Sequence, residues 1–198
     1  MKLIFTLACL CAATVFSATA SAAVVSYSFA GTVTDDPLGS GYTTFTGSFN
    51  FESTTPDGIA GDPSTAAYAQ SGPTWGVGLV FNGSDTVNVF GSLNILITNN
   101  VGGTDQFGVL AQQGSSTVSI TLVDFTQSVF SSDALPVAPL TLVNFASRTL
   151  SWETPAGTLQ GTLTSLTLNS APIPETGTLP MLALGLAATT WAARRRMR

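Results

Sequence analysis

Any chemistry in this chain has to come from carboxylates, hydroxyls and one arginine. The sequence has no histidine, and its one lysine is Lys2. That removes the usual general base, the commonest metal ligand and the Schiff-base amine. Between Asp35 and Glu153 stand ten acidic residues and one base, Arg148, a net charge of about −9. Glu52, Asp124, Asp133 and Glu153 are candidates for the carboxylate pair that hydrolyses a glycosidic bond. Asp35, Asp36, Asp57 and Asp62 fall in turn-rich segments. Gathered at one end of a fold, they would offer oxygens of the kind calcium takes. No EF-hand spacing accompanies them, and solvated turn aspartates are the simpler reading. Trp75, Trp152, Tyr27, Tyr42 and Tyr68 supply rings for a sugar-stacking platform, although aromatics in alternating runs normally fill a core. Asn82-Gly83-Ser84 fits a glycosylation sequon and equally a plain turn. No G-x-S-x-G elbow or phosphate loop is present. The expectation is a protein that is not an enzyme, with no catalytic residue, no metal site and no cofactor, calcium being the one cation considered.

The acidic balance repels nucleic-acid phosphate and anionic headgroups, so a nucleic-acid partner is not expected. Both cysteines, Cys9 and Cys11, lie in the first eleven residues, so the rest of the chain holds no disulfide or thiol nucleophile. The segment around them has the parts of a secretory signal peptide over 1–22: Lys2, the apolar run Leu3 to Leu10, then Ala18-Thr19-Ala20-Ser21-Ala22-Ala23. Cleavage is expected after Ala20, Ala22 or Ala23. A lipoprotein site at Cys9 and a buried N-terminal helix are the alternatives to this reading.

The elements between the two ends are short alternating runs. Val24–Val33, Thr44–Phe51, Trp75–Phe81, Val87–Phe90, Leu93–Thr98, Phe107–Ala111, Thr117–Phe125, Thr141–Phe145, Arg148–Trp152 and Thr158–Leu168 place apolar and polar residues in turn. Period-two alternation in Val, Phe, Thr and Ile marks half-buried strands. Turn residues separate them, as at Asp35-Asp36-Pro37, Asn82-Gly83-Ser84-Asp85 and Asn99-Asn100-Val101-Gly102-Gly103. Ser53 to Pro73 reads as a long surface loop. The pattern predicts an all-β domain over 24–170, an antiparallel β-sandwich of jelly-roll type.

The tail, 173–198, has three parts. Ile173-Pro174-Glu175-Thr176-Gly177-Thr178 comes first, then a largely apolar stretch over 179–193, then Arg194, Arg195, Arg196, Met197 and Arg198. The apolar stretch reads as a single transmembrane helix, barely long enough to cross a bilayer. The arginines would orient it with its C-terminus in the cytoplasm and the domain outside.

Pro174-Glu175, Gly177-Thr178-Leu179, Gly185-Leu186-Ala187 and the terminal arginines together resemble the PEP-CTERM sorting signal of Gram-negative bacteria. Thr176 stands where that signal has its second proline. Ser28-Phe29-Ala30-Gly31-Thr32-Val33, Phe45-Thr46-Gly47-Ser48-Phe49, Phe130-Ser131-Ser132-Asp133-Ala134-Leu135-Pro136 and Gly161-Thr162-Leu163-Thr164 are similar to segments of proteins that carry it. The resemblance implies export, processing by an exosortase-type membrane protease at Pro174, Glu175, Thr176 and Gly177, and association with exopolysaccharide or biofilm matrix. The same residues also resemble the Leu-Pro-x-Thr-Gly signal of Gram-positive sortases. An uncleaved membrane anchor and a carbohydrate-binding module are the remaining readings.

Overall fold

A computed structural model describes residues 23–170. Eight strands account for about two thirds of them: β1 (Val24–Asp35), β2 (Thr44–Glu52), β3 (Thr65–Phe81), β4 (Asp85–Val101), β5 (Thr104–Gln113), β6 (Ser116–Asp124), β7 (Ser147–Thr154) and β8 (Gly157–Ser170). Each pairs antiparallel with the next, and β1 pairs antiparallel with β8. The sheet therefore closes into an up-and-down barrel. This corrects the expected jelly-roll sandwich. Alternation fixes which face of each strand is buried, but it does not say whether the buried faces meet across two sheets or around one ring.

Val87–Phe90 and Leu93–Thr98 are one strand, β4, carried through Gly91. The first half of β3 lies inside the segment expected to be a loop. Pro73 is tolerated there because it falls in a bulge between Gly72 and Gly76, where the β3–β4 register shifts. Thr141–Phe145 is not a strand. It contains a 3-10 turn at Leu142–Asn144 that buries Leu142. That turn is the single helical element among the described residues, and no helix among them is long and apolar enough to cross a membrane. The expected membrane helix over 179–193, the Arg tail, the motif at Pro174 to Gly177 and the signal peptide over 1–22 lie outside the described residues.

An eight-stranded barrel has an interior that side chains can just fill. Here they do: Tyr27, Phe29, Phe45, Phe49, Phe51, Phe81 and Phe107 all point inward with 2% exposure or less. Tyr27 and Phe49 stack at 5.4 Å and 14°, and Phe49 tilts against Phe107 at 6.3 Å. So many rings fit because some inward positions are glycine. Gly31 and Gly47 lie directly opposite Phe45 and Phe29 in the β1–β2 register. A Cβ on Gly31 would stand 2.3 Å from the Phe45 ring, and one on Gly47 would stand 2.4 Å from the Phe29 ring. Aromatic side chains covering glycines across a strand pair are a known device for holding curved sheets in register.

The loops alternate between the two ends of the barrel. One end carries the short turns, β3–β4 and β5–β6 among them. It is closed by Tyr42 stacked on Phe81 at 4.5 Å and by Trp152 stacked on Phe81 at 5.4 Å. The other end carries the long segments 53–64 and 125–146. The 53–64 segment runs beside the part of β3 that β2 does not reach, with Gly58 donating to the Ala67 carbonyl at 2.8 Å.

Candidate functional site

The carboxylates expected to do chemistry are placed apart. Glu52 ends β2 at the long-loop end, whereas Glu153 lies near the end of β7 at the opposite one. Asp133 lies in the 125–146 segment, where its main-chain carbonyl accepts from the Tyr68 hydroxyl at 3.0 Å. Asp124 is 1% exposed. Its Oδ1 accepts from the Thr126 N–H at 2.8 Å and hydroxyl at 2.6 Å, and its Oδ2 accepts from the Ser128 N–H at 2.8 Å. These bonds, the Thr126 hydroxyl first, hold its carboxyl down at about 2. It is a loop anchor, not an acid or base poised near neutrality.

Asp105 was not singled out from the sequence, yet it is fully buried beside Asp124 as its direct cross-strand partner. Its Oδ1 accepts from the Asn100 N–H at 2.8 Å. Its Oδ2 accepts from the N–H groups of Val129 and Phe130 at 3.0 and 2.9 Å. The signal was there: Asp105 shares parity with Phe107 and Val109, the inward positions of β5. Two buried carboxylates side by side are satisfied by main-chain N–H groups and, for Asp124, by the Thr126 and Ser128 hydroxyls as well, and together they fasten the 125–146 segment over the barrel end. Tyr27 and Tyr68 help. The Tyr27 hydroxyl donates to the Ala138 carbonyl at 2.8 Å, and burial pushes its pKa up to about 12.

The loop aspartates do not converge. Asp35 ends β1 and Asp36 follows it at the short-turn end, and Asp57 and Asp62 lie in the 53–64 segment at the other. Asp36 accepts from the Ser40 hydroxyl and the Gly41 N–H. Asp57 accepts from the N–H groups of Ile59 and Ala67, and Asp62 from Ser64. Among the described residues no group of three or more acidic side chains is disposed to hold a metal. The aromatics make no common platform either. Tyr27 and Tyr68 are in the core, Tyr42 and Trp152 close one barrel end, and Trp75 packs at the β3 bulge. Asn82 is a turn residue with φ of 48°, and its side chain accepts from the Thr43 N–H at 2.9 Å and donates to the Gly41 carbonyl.

The concave feature that stands out is a groove of about 580 Å³ on the outer wall, across β8, β1, β2, β3 and β4. The register lays it out as two parallel rungs. One runs Thr167, Ser28, Ser48, Gly78, Asn88; the next runs Ser165, Ala30, Thr46, Val80, Thr86. At the β4 side the half-buried Phe90 lies along the wall over Gly76 and Gly78, and a Cβ on Gly76 would stand 2.8 Å from its ring. None of the lining residues is ionisable. Sequence reading missed the groove because its residues are the outward, polar half of ordinary alternating strands. Only the barrel closure sets β8 beside β1 and completes the rungs.

Compared with protein family models, characterised proteins and solved structures, the chain matches none.

Proposed function

We propose that this is an exported, non-catalytic protein of the cell surface or extracellular matrix, matured at both ends. The barrel serves as a stable module that contacts a matrix polymer from outside. The observation that carries the reading is the disposition of the carboxylates. In a chain without histidine they are the leading candidates for general acid–base work, and Asp105 and Asp124 are spent on main-chain N–H groups and, for Asp124, the Thr126 and Ser128 hydroxyls. Glu52 and Glu153 stand at opposite ends, so they do not face each other across a cleft as a hydrolytic pair must. The interior is filled, so recognition falls to the outside of the barrel, its wall and its loop ends.

Support for export is at the sequence level. The charged, apolar and small-residue regions of 1–22 follow the order a secretion signal needs. The Pro174-Glu175-Thr176-Gly177 motif, followed by a terminal cluster of Arg194, Arg195, Arg196 and Arg198, resembles an exosortase-type processing site. The proposed partners are that protease and an exopolysaccharide; the expected final location is the cell surface or matrix. The test is fractionation of the native host, with protease applied to intact cells. A matrix or surface pool digested from outside supports the reading. A protein confined to the cytosol and protected until lysis sinks it.

A further inference from the structure

We infer that the outer groove binds a single extended chain of a neutral polysaccharide, laid across the strands along the two rungs. The inference rests on the proposed surface role but makes its own claim, about ligand class and location.

Three observations converge. First, charge: the domain carries about −9, yet the groove wall holds no acid and no base. An anionic polymer would meet a repulsive domain with no cation to receive it, whereas an uncharged one meets no penalty. Second, polar capacity. In the loops, hydroxyls and amides are mostly spent internally, as at Ser40, Asn82, Thr126 and Ser128. In the groove, Thr46, Ser48, Thr86, Asn88, Ser165 and Thr167 form no side-chain hydrogen bond within the described residues. Each hydroxyl both donates and accepts, and the Asn88 amide does so from separate atoms. That is the complement of a sugar's hydroxyl edge. Third, shape. Gly78 and Ala30 lower the floor, and Phe90 presents a ring beside it, which suits the C–H face of a pyranose. Five strands about 4.8 Å apart give a track of roughly 19 Å, the length of a short oligosaccharide.

The test is affinity electrophoresis of the full chain through gels containing mixed-linkage β-glucan, galactomannan or dextran, with alginate as the acidic counterpart. Retardation by at least one neutral polymer and none by alginate is expected. Phe90→Ala and Gly78→Val should each weaken binding at least tenfold. The valine fills the floor, and a Cβ at Gly78 meets nothing closer than 3.4 Å, so its first carbon is accommodated. Gln112→Ala, on the outward face of β5, should bind as the parent does. Thermal melts of each variant separate loss of binding from loss of fold. The proposal is overturned if no neutral polymer retards the parent, if alginate does so equally, or if folded groove variants bind normally. Dimerisation lost on Phe90→Ala, without polymer binding, would assign the groove to self-association. Cell location does not enter this readout, so a cytosolic protein would overturn the surface role and leave this result standing.

Discussion

The ring of Phe45 fills the space where a Cβ on Gly31 would stand, 2.3 Å from that point, and the two residues face each other across β1 and β2. Gly161, on β8, makes room for the same ring from the other side, at 2.4 Å. Phe45 therefore sits where β2, β1 and β8 come together, at the seam that closes the barrel. Gly31→Ala should destabilise the protein by about 1–3 kcal/mol, because the ring and the Thr162 carbonyl must both give way. Gly61→Ala, where an added Cβ meets nothing within 4 Å, should be close to neutral. Urea unfolding of the two variants beside the parent checks this.

Phe81 lies between Tyr42 and Trp152 at the short-turn end. Phe81→Ala should cost about 3–5 kcal/mol, the range for deleting a buried ring. It should also shift the tryptophan emission to longer wavelength, as Trp152 loses its stacking partner and gains water. Unchanged emission would mean that this end does not depend on the stack.

The 125–146 segment is held by side chains it does not itself contain. Tyr27→Phe removes a donor to the Ala138 carbonyl and should cost about 0.5–1.5 kcal/mol, the usual range for one hydrogen bond. The diagnostic effect is local. Hydrogen exchange should accelerate in 125–146 and stay slow in β4 and β5. Uniform acceleration across the barrel would contradict the anchoring role.

Asp124 gives a pH prediction with a definite sign. Its folded-state pKa of about 2 lies below its ordinary 3.8. A depressed carboxylate stabilises fully above the unfolded value and loses that contribution as pH falls through the folded one. The parent and Asp124→Asn should therefore differ most above about pH 4 and converge toward pH 2. A difference that stays constant across this window would show that the carboxylate charge is not what the loop donors hold.

The strands were readable because each keeps its parity. Val25, Tyr27 and Phe29 are inward on β1, and Phe45, Phe49 and Phe51 on β2. The Asn82-Gly83 turn was readable from its residue types, and both take positive φ. Closure was not, because the β1–β8 pairing joins residues more than a hundred positions apart and leaves no local mark. The inward glycines were the missed hint. Gly31 and Gly161 sit at core parity in strands where a sandwich would place larger residues. Thr141–Phe145 misled in the other direction, since its apolar residues serve a loop packed on the barrel end. The groove was invisible for a related reason: Ser28, Ser48 and Thr167 read singly as solvent positions, and only the register makes them neighbours.

We propose above that this chain is exported and matured at both ends. Intact mass of the protein purified from its native host, with both termini mapped by peptide sequencing, tests it most directly. The expected N-terminus lies just after Ala20, Ala22 or Ala23, and the expected C-terminus at or near Pro174-Glu175-Thr176. A peptidoglycan fragment on Thr176 would assign the processing to a sortase-type enzyme instead. A mass corresponding to Met1 through Arg198 would contradict the claim.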